Sequence, residues 1–497
     1  MKGAGDRVGR ASKREASKSG ASTSDAGSQA YGRQARGRGH RSWPLVLVGL
    51  LLPLTVGSAA QTPLRWSGPA ATPTTSIAPA AAPAPHVQAP IVNANAIALP
   101  AGFDVRQFEA IADQLVANQR IPGLAMAIVQ NGRVLSARGY GITDMRAAEP
   151  VDAHTVFRLA SLSKAFAGTM TGLLVNDGVL RWDSRLTDYV PEFHLRDEYA
   201  TRRVTVADLL SHRVGLTHNT YDRDLEGYAD YRSLTQKLAY APMACQPGDC
   251  YAYQNIAFSL IGDVVFAATG QFYSHEVERR IFKPLGMNDA SLGLEGIEAS
   301  PRWARPHVRG RGGWVSTMPK PTYYQLPPAA GVNASISDMA QWLIAQGGHR
   351  PDVLPAPLLA TLHAPVVSTP GETRGSSWRR ERVSSAGYAL GWRVYDYAGH
   401  QLVFHGGAVQ GYRGLIALLP ERDLGIAILW NSESSLPSGM LPTIMDRALG
   451  LPPQRWLDVE PIDDLLYAER DDTPAGNAKT PATSGGSDAS AATAAPQ

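Results

Sequence analysis

Residues 161–176 read SLSKAFAGTMTGLLVN. Leu162, Phe166, Met170, Leu173 and Leu174 recur there at intervals of three and four, the spacing that brings side chains onto one face of an α-helix. Gly178 follows where such a helix would end, because a residue without Cβ can take the left-handed conformation of a C-terminal cap. The stretch opens with Ser161 and carries Lys164 three residues later, so the two side chains share one helical face.

The pattern extends to both sides. Upstream, Val105–Ala117 is helical in periodicity, and the runs Leu124–Gln130 and Val134–Gly139 flank Asn131-Gly132, a hairpin signal. Downstream, Thr205-Val-Ala-Asp208 reads as a capping box starting a helix at Asp208-Leu-Leu, and Ile256–Thr269 reads as a helix ending at Gly270. Near the C-terminus come β-type runs at Tyr388–Tyr395, Gln401–His405, Leu415–Leu419 and Gly425–Trp430. Strands at both ends with helices between them imply an α+β arrangement, one sheet built from both ends of the chain with an inserted helical region. No internal repeat is visible.

Composition sets the boundaries of this body. Of 497 residues, 44% are apolar and 18% charged, a globular balance. Residues 1–42 hold ten Lys/Arg against three Asp/Glu in a chain whose total charge is +3, so the rest is mildly acidic. A basic end on an acidic body argues against nucleic-acid binding and reads as the positive flank of a membrane-directed segment. That segment is 43–60: Trp43–Val56 is apolar and uncharged, too short for a comfortable transmembrane helix, and Gly57-Ser-Ala-Ala60 supplies small residues for cleavage. It reads either as a signal peptide whose true start lies downstream of Met1 or as an N-terminal membrane anchor, and in both cases as export to the periplasm or beyond. Residues 61–100 are an Ala/Pro-rich linker, 101–470 the folded domain, and 471–497 a low-complexity tail expected to be disordered. Cys245 and Cys250 are the two cysteines; in an oxidising compartment they can close a loop around Pro247-Gly248, and otherwise they are free thiols. The export signal favours the disulfide. With no histidine nearby they do not form a zinc site, and no metal or cofactor is expected.

Three short elements carry chemistry. A serine hydroxyl is a weak nucleophile and needs a base; Lys164, flanked by Ala160, Ala165 and Phe166, can be desolvated into a neutral amine. The helix start also favours developing negative charge. Alone, Ser-x-x-Lys recurs by chance, and the plainer reading is a surface serine beside a solvated lysine. Tyr253-Gln-Asn255 opens the Ile256 helix: a phenol can pass a proton to a leaving group and an amide can hold a substrate amide, whereas the plainer reading is a core tyrosine before an N-cap. His405-Gly406-Gly407 ends a strand: the glycines let substrate lie against the backbone, His405 can bind a carboxylate, and the Ala408 and Ser161 N–H groups can form an oxyanion hole. The plainer reading is a tight turn.

Together and in this order, the three elements resemble the motif set of class C β-lactamases, DD-peptidases and related esterases, in which Tyr-x-Asn is the second motif and the third begins with Lys, His or Trp. DLLSHRVGLT (208–217), IFKPLGMNDAS (281–291), YALGWRV (388–394) and the segment 404–434 extend the likeness across nearly the whole folded body. The resemblance implies a β-lactamase/transpeptidase-like fold: an antiparallel sheet flanked by helices, an inserted helical subdomain, and Ser161 in the cleft between them. It also implies that Ser161 is acylated, that Lys164 and Tyr253 share the proton work, and that Asn255, His405, Gly407 and Ala408 contact substrate. The third motif departs from the lysine form: His405 replaces the fixed cation, and Gly406 and Ala408 lack hydroxyls. This favours peptidase or esterase work on a small-molecule or peptidoglycan-derived substrate over efficient β-lactam hydrolysis. A dedicated β-lactamase and a non-catalytic penicillin- or muropeptide-binding protein are the alternatives. Ser337-Asp338-Met339 lacks the asparagine of the related polar triplet and reads as a helix cap. Segments 218–245 and 299–328, the second with Trp303, Trp314, Tyr323 and Tyr324, either rim the cleft or belong to the core.

Overall fold

Asn131 and Gly132 both take positive φ, 49° and 68°, and close a two-residue hairpin between β1 (Gly123–Gln130) and β2 (Arg133–Asp144). The computed structural model describes residues 96–117 and 119–459. The expectations for 1–42, 43–60, the linker up to residue 95 and the tail 471–497 fall outside the described residues.

The hairpin begins a nine-stranded sheet. Its other members are β3 (Ala147–Pro150), β4 (Val367–Ser368), β5 (Val383–Tyr388), β6 (Arg393–Tyr397), β7 (His400–Val409), β8 (Tyr412–Leu419) and β9 (Leu424–Trp430). The spatial order is β3-β2-β1-β9-β8-β7-β6-β5-β4, so the last strand pairs antiparallel with the first, in the register Leu124↔Trp430 to Gln130↔Leu424. Both chain ends thus build one sheet, as the distribution of strand patterns implies.

Two of the expected strands have different limits. Tyr388–Tyr395 is not continuous: the chain turns at Ala389–Trp392, where the Ala389 N–H donates to the Trp392 carbonyl and Gly391 takes φ 87°. Gln401–His405 is longer than expected and runs to Val409, with Gly406 and Gly407 paired to Leu415 and Gly414. The Gly-Gly pair is therefore strand, held extended by β8 on its flank.

Successive side chains of β1 point to opposite faces, and both faces are covered. Leu124, Met126 and Ile128 pack with Phe108 and Ile111 of α1 (Val105–Ala117) and with helix Met440–Leu449. Ala125, Ala127 and Val129 share the second core with Phe166 and Met170 of α2 (Ser163–Asn176) and with Trp342 of helix Ile336–Ile344. The Phe166 and Trp342 rings stack at 3.9 Å. Beyond α2 lies the helical region, whose Leu209, Leu210, Phe258 and Ile261 extend the same core. Its α3 (Val206–Leu210) starts two residues earlier than expected, because Thr205 is the N-cap and Asp208 the third helical residue of a complete capping box. Ser335 and Asp338 form the same device at Ile336, so Ser337-Asp338-Met339 lies in a capped first turn.

Sandwiched between sheet and helical region, α2 is buried on every side from Ser163 to Leu174. Its apolar stripe understates this, because Ala165, Ala167, Gly168 and Gly172 let neighbours approach the remaining faces. A Cβ on Gly168 would collide with the Leu390 carbonyl oxygen, and one on Gly391 with the Lys164 carbonyl oxygen. The start of α2 is therefore locked, backbone against backbone, onto the turn leading into β6. Gly168→Ala should lower stability by roughly 1–3 kcal/mol through overpacking. Urea denaturation checks this, and a variant as stable as the parent would contradict the contact.

Candidate active site

Ala160 takes φ 50°, an unfavourable conformation for a residue with a Cβ, and bends the chain into a short 3-10 turn, Ala160–Leu162, just before α2. The bend brings Ser161 to the mouth of the helix, where it lines an open cleft of about 560 Å³. One helical turn on, Lys164 is completely buried. Its Nζ lies 2.7 Å from Asn255 Oδ1, 3.1 Å from the Ala329 carbonyl oxygen and 3.4 Å from Ser161 Oγ. Burial drives its pKa well below that of an ordinary lysine; Asp222 opposes the shift and Arg393 adds to it. An amine so placed sheds its proton far more readily than one in water.

Tyr253 forms the adjoining wall. Its hydroxyl interacts with the Ser161 side chain, and Lys164 Nζ sits 4.7 Å from its ring centroid. Burial pushes the phenol up to about 12, with Arg393 and the Ser161 contact pulling the other way, so at neutral pH it carries its proton. The ring is held at 4.3 Å by the imidazole of His212, whose Nδ1 accepts the Gln254 N–H. Asn255 occupies the N-cap position of helix α5 (Ile256–Thr269; α4 is Asp222–Glu226), yet its side chain makes no capping bond. Its oxygen takes Lys164 and its nitrogen donates to Asp222 Oδ2 at 2.7 Å. The expected cap has given way to a polar contact with the lysine. Just upstream, Cys245 and Cys250 lie with their sulfurs at 2.09 Å, bonding distance.

Strand β7 supplies the opposite wall through Phe404, Gly406, Gly407 and Ala408. A Cβ on Gly407 would come within 2.5 Å of the Leu159 carbonyl oxygen and 3.2 Å of the Ser161 nitrogen, so glycine is what allows this strand to press against the Ser161 turn. The contribution expected of His405 is corrected here. Its imidazole is fully buried on the same face of β7 as Gly407, with Nδ1 2.9 Å from the Gly406 carbonyl and Nε2 3.0 Å from the Tyr388 hydroxyl. The carbonyl can only accept, so Nδ1 holds the proton and Nε2 accepts from Tyr388. Burial, Arg393 and Lys164 drive its pKa well below the usual histidine range. His405 is a neutral strut beneath the cleft and presents no cation to it.

Positive charge enters from the neighbouring strands. Arg393, at the start of β6, lines the cleft 5.4 Å from the Tyr253 ring centroid and pairs with Glu372, which also binds Arg379 at 2.6 Å. Arg413 lines the cleft from β8, opposite Ala408. Asp222 and Tyr323 also line the cleft, their side chains 3.3 Å apart. Tyr323, and Asp222 within the segment 218–245, fall where a cleft rim was one of two readings; Arg393, Arg413, Arg379 and Glu372 were not singled out in the sequence. Arg393 stands in the quoted YALGWRV, but one arginine with no partner at fixed spacing carries no signal. Of the four aromatics in 299–328, Tyr323 reaches the cleft, Trp314 and Tyr324 are core, and Trp303 packs on Arg305.

Comparison with known proteins agrees with this geometry. The family model Beta-lactamase matches residues 108–446, and the chain belongs to that family. An unguisins hydrolase of Aspergillus campestris is 27% identical over 370 residues, covering 71% of this chain and 67% of its own length. Esterase EstB of Burkholderia gladioli is 29% identical over 324 residues, covering 58% and 81%. The chain spans about two thirds of the length of the two unguisins hydrolases it matches, 67% and 64%. Among solved structures, the octameric penicillin-binding protein homologue of Pyrococcus abyssi superposes with a TM-score of 0.63 at 24% identity, covering 74% of this chain and 81% of that one. The D-amino acid amidase of Ochrobactrum anthropi superposes with 0.57 at 21% identity, covering 70% and 98%. The fold inferred from the three motifs is thereby confirmed.

The contact at Gly407 can be tested against its neighbour. A Cβ on Gly406 would meet nothing closer than the Phe404 ring at 3.5 Å. Gly407→Ala should cost roughly 1–3 kcal/mol by overpacking, while Gly406→Ala should be neutral or slightly stabilising, since glycine is unfavourable inside a strand. Urea midpoints of the two variants decide, and equal effects would contradict the close approach.

Proposed function

We propose that this member of the beta-lactamase family is a serine hydrolase that acts on small ester or amide substrates, D-peptides and β-lactams among them, through an acyl-Ser161 intermediate. The observation that carries the reading is a serine hydroxyl held between a buried amine at 3.4 Å and a protonated phenol, at the edge of a cleft of ligand size. In this mechanism Lys164 takes the Ser161 proton as Oγ attacks the substrate carbonyl. The Ser161 and Ala408 N–H groups receive the developing oxyanion. Tyr253 hands its proton to the leaving group and regains one from Lys164. Water then attacks the acyl carbon, Lys164 again serving as base, and Ser161 leaves with a proton. Asn255 has a second amide N–H with which to hold an acyl-side amide, and Gly407 gives substrate room to lie along β7.

Ester and peptide substrates rank ahead of β-lactams because the third motif lacks its lysine and hydroxyls. The arginines that line this cleft, Arg379, Arg393 and Arg413, stand outside the third motif and suit a substrate that carries a carboxylate. The names of an esterase and a D-amino acid amidase among the similar proteins support ester and amide chemistry. The apolar segment 43–60 and the adjacent sulfurs of Cys245 and Cys250 support a periplasmic or secreted protein with a disulfide, anchored by 43–60 if that segment is retained.

Incubation with a fluorescent penicillin and with p-nitrophenyl esters, followed by intact-mass measurement, tests the reading. A covalent adduct should form on the parent and be absent from Ser161→Ala; equal labelling of the variant would overturn it. Ester turnover should exceed nitrocefin turnover, and a large nitrocefin preference would reverse the ranking of substrates. Lys164→Ala should slow acylation by about a hundredfold or more, the scale of a lost general base; parent-like acylation would remove Lys164 from its role. The pH profile follows from the same groups. The working form has Lys164 neutral and Tyr253 protonated, so kcat/KM should rise with pH as Lys164 deprotonates, with its midpoint well below the 10.5 of an exposed lysine. It should fall only as Tyr253 ionises, toward about 12. An acid limb centred near 10.5 would contradict a desolvated base.

A further inference from the structure

Lys164 Nζ has two close partners, Asn255 Oδ1 at 2.7 Å and the Ala329 carbonyl oxygen at 3.1 Å, and both are acceptors. A neutral amine has two N–H bonds and one lone pair. If the two N–H bonds go to these oxygens, the remaining tetrahedral direction, toward Ser161 Oγ at 3.4 Å, is left to the lone pair. The aim of the base then depends on which end of the Asn255 amide faces the lysine. A flipped amide would offer Nδ2 to Nζ. That donor would compete for the lone pair and draw it away from the serine.

One residue decides the orientation of the amide. Asp222 Oδ2 lies 2.7 Å from Asn255 Nδ2, and a carboxylate can only accept from it. Tyr323 donates to the same oxygen at 3.3 Å and holds the carboxylate in place. Asp222 is itself buried, lines the cleft and stands in the first turn of α4. A buried carboxylate carries a desolvation cost, so its position here points to a task at the site.

We infer that Asp222 is a positioning residue: by clamping the Asn255 amide it directs the lone pair of Lys164 at the Ser161 hydroxyl. The inference rests on the proposed role of Lys164 as base. Asp222 is two hydrogen bonds from Nζ and also acts through its charge. The charged and titratable groups around Lys164 are Asp222 from α4, Arg393 from β6, His405 from β7, His212 after α3, and Tyr253 before α5. The two histidines are buried and neutral, with pKa values well below the usual range, and Tyr253 is protonated. Asp222 is therefore the anion of this set and Arg393 its opposing cation. Around Asp222 itself stand Asn255, Tyr323, His218 and Lys164. Removing the anion stabilises ammonium less, so Lys164 would lose its proton at lower pH.

Two substitutions separate the clamp from the charge. Asp222→Asn keeps an oxygen that can accept from Asn255 Nδ2 but carries no charge, and it is isosteric, so folding is conserved. Asp222→Ala removes both. Single-turnover acylation of the full chain by a p-nitrophenyl ester, followed by mass across pH, gives the readout. Asp222→Asn should keep its plateau rate within about threefold of the parent while its acid limb moves to lower pH. Asp222→Ala should lose tenfold or more at every pH, with ester KM changed by less than about threefold. A parent-like plateau in Asp222→Ala would overturn the inference, and so would equal losses in both variants with an unmoved acid limb. If the parent forms no acyl adduct on Ser161, the proposed function has failed instead, and that outcome is read before either variant is made.

Discussion

A lysine side chain with no exposure to water is the constraint around which this molecule is arranged. Charge is costly in a packed interior, and a protein can relieve the cost by pairing the charge or by letting the group lose its proton. Among the described residues Lys164 has no carboxylate in contact; its neighbours are an amide oxygen, a backbone carbonyl, a serine and two aromatic rings. Such surroundings solvate an amine well and an ammonium poorly. The nearest anion, Asp222, reaches it through Asn255 and so tempers the shift without neutralising it. Burying the base and easing the loss of its proton are thus one structural act.

The rest of the fold serves to keep that lysine dry and aimed. Helix α2 must be enclosed on all sides, which requires the sheet on one flank and the helical region on the other. Enclosure in turn requires backbone to touch backbone, and glycine appears where it does: Gly168 and Gly391 where α2 meets the turn before β6, and Gly407 where β7 meets the Ser161 bend. The strained backbone of Ala160 belongs to the same pattern, because it turns the serine out into the cleft while the lysine stays within. The cleft that results carries both signs of charge, Asp222 from α4 and Arg393 and Arg413 from β6 and β8.

Whatever depends on near neighbours in the chain was legible from sequence. The Asn131-Gly132 hairpin, the capping box at Thr205, the helix from Ile256 to Gly270 and the Ser161/Lys164 spacing all rest on contacts within a few residues. What was not legible depends on distant partners. His405-Gly406-Gly407 looks like the end of a strand until β8 is laid beside it, and only that pairing carries the strand on to Val409 and sets Gly407 against the Ser161 turn. Tyr388–Tyr395 looks like one strand because nothing nearby announces that the Lys164 carbonyl must fit against Gly391. Asn255 looked like a helix cap because Asp222, which claims its nitrogen, is 33 residues away. Arg393 is a strand residue by local pattern, and only the fold brings it over Tyr253.

The claim on which the account turns is the protonation state of Lys164, and it can be observed directly. The protein has few lysines, so labelling them with 13C at Cε and following their NMR resonances across pH would resolve each titration. The account predicts one resonance, missing from Lys164→Ala, whose midpoint lies well below the common lysine value shown by the others. If every lysine, Lys164 included, titrates together near 10.5, the buried-base account is wrong.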